Sequence, residues 1–292
     1  MSILVFGRSG QIARALQKAI GPRGIFLGRD EADLSKPDTL HDIIESHAPR
    51  AVINAAAYTQ VDKAEEEEAL ATTINADAPA AMAATCYELG IPFVHYSTDY
   101  VFAGDGNAMR DEAEPVAPPN AYGRSKLAGE LAVEAEGGQF LIFRTSWVYD
   151  AEGKNFFTTM LRLGVERESL NIVNDQIGAP SYAPHLAQAT MKALETAMQM
   201  DAFPSGVYHM CNAGETNWCE FAQSIFEGAR RHGAILAVGD VQGIPSSAYP
   251  TPATRPLNSR LDCTKLQAIF GVTMPDWREG LNACLEQTYE TA

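Results

Sequence analysis

The sequence predicts an α/β fold: a doubly wound parallel sheet with a smaller C-terminal lobe. Five short apolar segments in the first 150 residues are each followed by a stretch with helical periodicity. Such alternation is typical of parallel strands that are buried on both faces and joined by helices. Because the chain has 292 residues, of which 46% are hydrophobic, it can also support a second lobe. We predict domains over residues 1–150 and 151–292, with some later segments returning to the main sheet.

The composition excludes several classes of protein. The formal net charge of −15 argues against binding to nucleic acid or to an anionic membrane surface. No apolar run approaches the roughly 20 residues of a membrane span, and the first residues lead into a strand without the layout of a signal peptide. The 5 cysteines are scattered, without Cys-x-x-Cys spacing, which indicates reduced thiols and no cysteine metal site. We therefore expect a cytoplasmic protein.

The first strand and helix carry a glycine-rich turn. The apolar residues 3–6 precede Gly7, and Gly10 stands at the start of an amphipathic helix that runs to about residue 20. Glycines and the small Ala13 allow a tight turn and close packing, so that free N–H groups at the start of the helix can meet a pyrophosphate. Gly-x-x-Gly also occurs in ordinary turns. Its place between a strand and a helix favours a dinucleotide site of the Rossmann type.

The second strand, about residues 24–27, lacks the acidic residue that would hold the adenosine ribose of NAD. Gly28 and Arg29 stand at its end, and Asp30 comes later. An arginine in place of the carboxylate, together with Arg8, would suit the 2′-phosphate of NADPH. The alternative is that both arginines are simply solvated. We predict that NADPH is favoured and that NADH is possible.

The third and fourth strands end in residues that suit a ligand site. Residues 51–54 are followed by three alanines at 55–57, past which a flat cofactor could lie against the backbone. A long helix is predicted from residue 65 to about residue 89. The fourth strand, residues 91–96, leads to Thr98. Because ligands of doubly wound sheets bind at the carboxyl ends of the strands, Thr98 is a candidate site residue.

The next predicted helix carries the pair Tyr122 and Lys126. Four residues apart on a helix, the two side chains share one face, so an ammonium group can lie under a phenol. The cation would lower the phenol pKa from about 10 toward neutral pH, which suits a proton donor. Thr98 could add a hydrogen bond. Chance also produces this spacing, but its position after the fourth strand strengthens the interpretation.

The remaining elements are predicted from periodicity. Residues 140–145 form the fifth strand, and no repeat or flexible linker follows it. We expect helices near residues 155–166, 184–199, 217–232 and 263–270 and from residue 276 onward, with strands near 170–173 and 206–210.

Several motifs together resemble the extended short-chain dehydrogenase/reductases. They are Gly-x-x-Gly-x-x-Ala from Gly7, Asn54-Ala55-Ala56-Ala57, Ser97-Thr98-Asp99-Tyr100-Val101-Phe102 and Tyr122-x-x-x-Lys126. Further stretches narrow the resemblance to the dTDP-4-dehydrorhamnose reductases, from residue 3 to about residue 280. They are Val61-Asp62-Lys63-Ala64-Glu65, Phe143-Arg144-Thr145-Ser146-Trp147-Val148-Tyr149, Asn174-Asp175-Gln176-x-Gly178-Ala179-Pro180 and Tyr249-Pro250-Thr251-Pro252-Ala253-x-Arg255-Pro256-x-Asn258-Ser259.

This resemblance implies reduction of dTDP-4-dehydro-L-rhamnose to dTDP-L-rhamnose. It implies that Tyr122 protonates the C4 oxygen as hydride arrives from the nicotinamide, that Lys126 holds the nicotinamide ribose, and that Thr98 bonds the same oxygen. The candidate cofactor residues, from motif and resemblance together, are Gly7, Gly10, Gln11, Ile12, Arg29, Asp33, Leu34, Ala56, Ala57, Tyr58, Thr59, Tyr122 and Lys126. The candidate substrate residues are Thr98, Asp99, Tyr100, Trp147 and Arg255, the last of them at the dTDP phosphates.

Two departures from the family pattern bear on these expectations. The family's acid at the end of the second strand is Gly28 here, which argues against a preference for NADH. Some relatives form dimers around a magnesium ion held by helix carboxylates, but Ala15, Pro184 and His185 stand at the corresponding positions. We therefore expect no metal, and a monomer or a homodimer without a metal bridge.

The sequence leaves rival functions open. Reductases of other dTDP-4-keto-6-deoxy sugars share most of these motifs. A nucleotide-sugar dehydratase would need a glutamate where Tyr100 stands, and a sugar epimerase would keep its NAD bound through turnover. The other rival is a non-catalytic NADP-binding regulator, as in the regulatory subunit of methionine adenosyltransferase, which is similar in sequence to these reductases. The combination of Thr98, Tyr122, Lys126 and Trp147 favours the enzyme. Tyr58, Tyr100 and Trp147 could each instead be core aromatics.

Overall fold

A computed structural model of the chain describes residues 2–290. Met1 and the last two residues, which the predicted domains 1–150 and 151–292 include, lie outside the described residues. The strands are β1 (Ile3–Phe6), β2 (Gly24–Leu27), β3 (Ala51–Asn54), β4 (Phe93–Thr98), β5 (Phe140–Thr145), β6 (Val148–Tyr149), β7 (Ser169–Val173), β8 (Ile177–Gly178), β9 (Ser181–Tyr182), β10 (Gly206–His209), β11 (Thr216–Asn217) and β12 (Asp240–Ile244). The α-helices are α1 (Gln11–Ile20), α2 (Leu40–His47), α3 (Glu68–Thr72), α4 (Ala78–Leu89), α5 (Ala121–Glu136), α6 (Phe156–Glu166), α7 (Ala183–Ala197), α8 (Trp218–Arg231), α9 (Thr264–Phe270) and α10 (Trp277–Glu290).

The centre of the molecule is a six-stranded sheet in the order β10-β5-β4-β3-β1-β2, in which every pairing is parallel. The order reverses between β1 and β3, which is the switch point of a doubly wound sheet. The predicted fold class is thus confirmed. β10 lies 60 residues beyond β5 in the chain and pairs with it, so a late segment returns to the main sheet.

Helices cover both faces of the sheet because its strands are apolar on both faces. On one face α1 and α7 pack with Leu16, Leu186 and Leu194 on the strand side chains. On the other face α2 and α4 contribute a second layer, which includes Leu40 and Met82. A fully buried aliphatic side chain contributes roughly 1.5–3 kcal/mol. The layers fix the strand ends at which a ligand can bind.

The long helix predicted from residue 65 to residue 89 is interrupted. A 3₁₀ turn over Lys63–Glu65 precedes α3, and a π-helical segment over Thr73–Asp77 joins α3 to α4. Asn75 in the π segment donates to the backbone oxygen of Tyr58 at 3.1 Å and accepts from the Tyr58 N–H at 2.9 Å. The segment therefore reaches the loop after β3, and hydrophobic periodicity alone does not signal such an insertion.

A second core lies beyond β5. Aromatic and aliphatic side chains of α6, α8 and α10 form it, among them Phe157, Phe221 and Trp277. A parallel pair of strands, β7 and β12, packs beside α8. The sequence predicts β7 and these helices but not β12 or the two-residue strands. The boundary between two lobes at residue 150 stays a prediction.

No helix within residues 2–290 is long and apolar enough to cross a membrane.

Candidate active site

The candidate site is built on the carboxyl end of β4. Thr98 is its last residue, and its hydroxyl accepts from the N–H of Tyr100 at 3.3 Å, which caps the 3₁₀ turn Asp99–Val101. The same hydroxyl donates to Asp99 Oδ1 at 3.0 Å. Thr98 and Asp99 are both buried. The turn therefore presents three candidate residues side by side at the strand end.

Helix α5 begins beside this turn and carries the Tyr122/Lys126 pair. Asn120 caps it by accepting from the N–H of Gly123 at 2.8 Å. A Cβ on Gly123 would lie 2.2 Å from the Tyr100 backbone oxygen, so only glycine lets the helix approach the turn this closely. Close packing thus explains why a glycine follows Tyr122, and the Tyr-x-x-x-Lys pattern does not predict this.

Tyr122 lies against Tyr100, edge to face, with ring centroids 5.5 Å apart. Burial raises the pKa of Tyr122 to about 12, whereas a hydrogen bond with the Thr98 side chain acts to lower it. The sequence predicts that Lys126 lowers this pKa, and here the structure differs. Burial destabilises the phenolate by more than the hydrogen bond with Thr98 stabilises it, so Tyr122 stays a neutral phenol.

Lys126 is buried one turn further along α5, and its Nζ atom faces β4. Its Nζ donates to the Tyr96 backbone oxygen at 2.6 Å and lies 3.1 Å from Nε2 of His95. Burial lowers the pKa of Lys126 to about 8, against the attraction of the Glu130 carboxylate. Sequence reasoning missed His95; a polar residue inside an otherwise apolar parallel strand was the available signal.

Asp99 and Arg255 bring opposite charges to the same cluster. Burial raises the pKa of Asp99 to about 6, while hydrogen bonds from Ser259 and Thr98 oppose the shift. Arg255 donates to Asp62 at 2.7 Å, and its buried Nη1 has no hydrogen-bond partner among the described residues. The structure thus joins the distant loop of Arg255 to the predicted site and leaves it one buried donor available to an anion.

Trp147 lies at the far side of the site in an unusual backbone conformation, with φ of 50°. Its ring stacks on Trp218 with centroids 3.7 Å apart. A Cβ on Gly178 would lie 2.9 Å from the Trp147 ring and 3.0 Å from Ser259, so the three residues pack closely. A bulky residue at positive φ is uncommon, and strained backbone of this kind clusters at functional sites. The sequence does not predict that Trp218 contacts Trp147, since an aromatic residue on a helix is typical of a core position.

The turn between β1 and α1 fits the phosphates of a dinucleotide. Gly7 has φ of 114°, and a Cβ there would lie 3.1 Å from the Ala55 backbone oxygen. Gly10 caps α1 without any side-chain hydrogen bond, so the first N–H groups of the helix, at Gln11 and Ile12, are left for an anion. The Gln11 side chain donates to the Val148 backbone oxygen at 3.2 Å.

The loop after β3 is placed beside this turn. The Ala56 N–H donates to Asn54 Oδ1 at 3.1 Å, and Ala57 and Thr59 are exposed. The Tyr58 ring is buried in a small cluster with Ala64 and Ala121, and its hydroxyl donates to Glu67 at 2.7 Å. Glu67 thus engages the Tyr58 hydroxyl, and Asn75 engages its backbone N–H and C=O, so a cofactor could contact Tyr58 only by packing against it.

The end of β2 differs from the expected arrangement. The sequence places no carboxylate there, but Glu31 reaches back and its Oε2 accepts from the Gly28 N–H at 2.8 Å and from Arg8. Arg29 lies in solvent, with an ion pair to Asp33 at 3.6 Å. Two arginines, Arg8 and Arg29, thus share this exposed end with the carboxylates of Glu31 and Asp33.

Asp33 and Leu34, the predicted adenine residues, lie just beyond that end. The Asp33 carboxylate accepts from the Ser35 backbone and hydroxyl, and these bonds keep its pKa below the usual value. Leu34 is buried in the core layer that includes Leu27 and Leu40. Because the Leu34 side chain is packed within that layer, an adenine could contact it only at the edge of the layer.

Known proteins match this chain along almost its whole length. The family model described as the RmlD substrate binding domain matches residues 1–290. The dTDP-4-dehydrorhamnose reductase of Burkholderia thailandensis is 49% identical over 292 residues, with 98% of each chain covered. That of Escherichia coli K12 is 43% identical over 297 residues, covering 100% of this chain and 99% of the relative.

Solved structures show the same fold. The dTDP-4-dehydrorhamnose reductase of Bacillus anthracis in complex with NADP has a TM-score of 0.91 and 34% identity, covering 99% of this chain and 100% of that one. A UDP-glucose 4-epimerase of Thermotoga maritima, with a TM-score of 0.81, covers 100% of this chain and 99% of its own but is only 19% identical, which shows the fold alone. The resemblance seen in the sequence motifs is confirmed: this chain belongs to the RmlD substrate binding domain family, that of the dTDP-4-dehydrorhamnose reductases.

Proposed function

We infer that this chain reduces the C4 ketone of dTDP-4-dehydro-L-rhamnose with NADPH, or less readily NADH, and so forms dTDP-L-rhamnose. The observation that carries this inference is the carboxyl end of β4, where Thr98 meets Tyr122 and where the buried Lys126, one turn along α5 from Tyr122, donates to the Tyr96 backbone oxygen. The identity with curated reductases over the full length supports the same reaction.

Tyr122 is the proposed proton donor. A bound nicotinamide cofactor supplies the hydride to C4 of the sugar, and the negative charge that develops on the C4 oxygen must be met by a proton. Because burial keeps Tyr122 neutral, its hydroxyl holds a proton throughout the neutral pH range. Thr98 lies within hydrogen-bonding reach of the same phenol and orients it toward that oxygen. Lys126, on α5 and anchored to the Tyr96 backbone oxygen of β4, is proposed to hold the nicotinamide ribose.

The sugar nucleotide is proposed to lie between the β4 turn and the C-terminal segment. Arg255 has a buried donor for a phosphate oxygen, and Trp147, which stacks on Trp218, is proposed to contact the hexose. Asp99 and Tyr100 close the site from the turn. Burial raises the pKa of Tyr100, whereas the charge of Arg255 and a hydrogen bond with it act to lower it, so the two side chains lie close together.

The residues proposed to bind the pyrophosphate and adenosine of the cofactor lie near the ends of β1, β2 and β3. Gly7, Gly10, Gln11 and Ile12 are proposed to meet the pyrophosphate, because the helix start is free of side-chain caps. The proposed contacts of the adenosine and the central part of the cofactor are Arg29, Asp33, Leu34, Ala56, Ala57, Tyr58 and Thr59.

The wider organisation is also a proposal. We place the dinucleotide in residues 1–150 and the sugar nucleotide mainly against residues 151–292. Ala15 and His185 stand where relatives with a metal-bridged dimer carry carboxylates, which supports a monomer or a homodimer without that bridge. The free state of all five cysteine thiols supports a cytoplasmic location.

The test is oxidation of NADPH, and separately of NADH, by the purified chain with dTDP-4-dehydro-L-rhamnose generated in place. We expect consumption of one cofactor per sugar and dTDP-L-rhamnose as the product by NMR. An NAD that stays bound and is regenerated during turnover would indicate an epimerase. Binding of NADP(H) without consumption would indicate the regulatory protein.

A further inference from the structure

The loop that carries Arg255 is held in place by side chains from distant parts of the chain. It spans residues 250–256 and contains Pro250, Pro252 and Pro256, whose nitrogens have no hydrogen to donate. Among residues 2–290, no backbone N–H or C=O group of this loop bonds another backbone group. Its conformation therefore depends on other contacts, and two residues that supply them are Asp62 and Asn120.

Asp62, in the segment after β3, bonds both the backbone and the arginine of the loop. Its Oδ1 accepts from the Ala253 N–H at 3.2 Å, and its Oδ2 accepts from Nη2 of Arg255 at 2.7 Å. A carboxylate that receives two such donors fixes the direction of the guanidinium as well as the course of the loop. A hydrogen bond with Tyr100 places the same guanidinium beside the turn after β4. Nη1 of Arg255 is left as a buried donor without a partner among the described residues.

Asn120 ties the same loop to the start of α5. Its Nδ2 donates to the Thr254 backbone oxygen at 2.8 Å, while its Oδ1 accepts from the Gly123 N–H at 2.8 Å and so caps the helix. The Asn120 side chain is buried, so water does not compete for these bonds. The residue that caps the helix of Tyr122 thus also sets the position of the Arg255 loop relative to that helix.

Charge and position make opposite predictions for Asp62. A carboxylate beside Arg255 lowers the positive potential that a diphosphate would meet, so on charge alone its removal should strengthen binding of an anion. Without Asp62, however, the loop and the arginine would have to be ordered when the ligand binds, and this ordering lowers the affinity. The sign of the change in affinity therefore tells the two roles apart.

We propose that Asp62 and Asn120 are positioning residues, which hold the loop 250–256 so that Arg255 presents Nη1 to the diphosphate of the sugar nucleotide. The proposal rests on the proposed function for the phosphate role of Arg255. It adds that two residues from other segments, one after β3 and one at the start of α5, act through Arg255. Preorganisation of this kind raises affinity because less conformational freedom is lost on binding.

Binding of dTDP, measured by calorimetry without turnover, tests Asp62. In Asp62→Ala we expect the Kd for dTDP to rise by about three- to tenfold, the size expected when one arginine must be ordered on binding. The Kd for NADPH should stay unchanged, whereas a merely structural defect after β3 would raise it. Glu195→Ala is the matched control, because Glu195 also pairs with an arginine of a distant segment, Arg23, at 3.1 Å. This control removes the same charge and should leave both Kd values unchanged.

The variant Arg255→Ala shows whether Asp62 acts through the arginine. It should weaken dTDP binding, and adding Asp62→Ala to it should cause no further loss. A further loss as large as that of Asp62→Ala alone would overturn the proposal.

Asn120→Asp tests the second contact of the loop. The new carboxylate can still cap α5 but cannot donate to the Thr254 oxygen, so we expect the Kd for dTDP to rise in this variant as well. An unchanged Kd would remove Asn120 from the proposal.

Hydrogen exchange of the protein without ligand measures how firmly the loop is held. In peptides that cover residues 249–258, exchange followed by mass spectrometry should be about tenfold faster in Asp62→Ala than in the wild type, since the Ala253 N–H loses its acceptor. Equal exchange, or dTDP binding by Asp62→Ala that is at least as tight as that of the wild type, would overturn this proposal alone. A wild type that binds no dTDP would overturn the proposed function, and this proposal with it.

Discussion

Charged side chains are in different environments at the two ends of the proposed cofactor site. At the nicotinamide end, Lys126 is 2% exposed, and burial shifts the pKa values of Lys126, Tyr122 and Asp99 toward their neutral forms. At the adenosine end the Arg29 side chain is 80% exposed and its ion pair lies in water. Desolvation dominates the first end and screening the second. Substitutions at the buried end should therefore change rate and stability, and those at the exposed end only selectivity.

The largest effect should come from Tyr122→Phe. Loss of the hydroxyl removes the proton donor at the buried end, so turnover should fall by about 10²- to 10⁴-fold. NADPH affinity, measured by fluorescence titration, and the circular dichroism spectrum should stay close to wild type. Turnover near the wild-type value would remove Tyr122 as the donor.

Glu130→Gln tests whether buried charge also governs stability. Glu130 forms a bidentate pair with Arg144 in the interior, and breaking it leaves an uncompensated guanidinium. The free energy of unfolding in urea should fall by about 3–5 kcal/mol. The matched control is Glu68→Gln at an exposed pair with Arg124, where the loss should be below about 1 kcal/mol. Equal losses at the two pairs would contradict the contrast.

The lowered pKa of Lys126 predicts a pH dependence of stability. Between the folded pKa of about 8 and the ordinary value of 10.5, the unfolded chain binds more protons than the folded one. The free energy of unfolding should therefore rise with pH across this window, by up to about 3 kcal/mol for this residue. Urea unfolding of wild type and Lys126→Met at several pH values isolates the difference. A difference that does not change between pH 8 and 10.5 would contradict the burial argument.

Gly178→Ala should weaken sugar binding. The new Cβ would press on Trp147 and Ser259, which are packed against Gly178 with no room for a methyl group. We expect a rise in the KM for the sugar nucleotide, measured in steady-state assays, with the KM for NADPH unchanged. Gly239→Ala, where nothing lies within 4 Å of a new Cβ, is the control. Equal changes in the two KM values would argue against a role of Trp147 at the sugar.

The smallest effects are expected at the exposed end. Arg29→Ala should weaken NADPH more than NADH, because a 2′-phosphate loses a cation. Glu31→Gln should strengthen NADPH relative to NADH, since Glu31 competes with a phosphate for Arg8 and the Gly28 N–H. Both changes should be a few-fold, as is usual for screened surface charges. Titration with each cofactor measures them, and equal effects on the two cofactors would sink the 2′-phosphate assignment.

The sequence predicts the sheet well because its strands are short, wholly apolar and separated by helices with clear periodicity. Residues 3–6, 51–54 and 140–145 are strands in the structure at those bounds. The two-residue strands and β12 escape prediction because pairing partners far away in the chain define them. The π segment at Thr73–Asp77 also escapes prediction, because it is accompanied by a tertiary contact, the hydrogen bond between Asn75 and Tyr58.

The candidate site divides in the same way. Residue types and spacing are enough to name Tyr122, Lys126 and Thr98 as a cluster, since strand ends and helix faces follow from local pattern. The pKa values are not accessible from pattern, because burial rather than the Lys126 charge sets that of Tyr122. The carboxylate of Glu31 is missed for a related reason: it reaches the end of β2 from a position three residues later.

The most direct test of the account is to follow the hydride itself. The purified chain is incubated with dTDP-4-dehydro-L-rhamnose and NADPH deuterated at the transferable C4 position, and the product is analysed by NMR, with Tyr122→Phe in parallel. The account predicts dTDP-L-rhamnose with deuterium at C4 of the hexose, formed by the wild type and lost almost entirely in the variant. Product without deuterium at C4, or equal labelling by the two proteins, would contradict it.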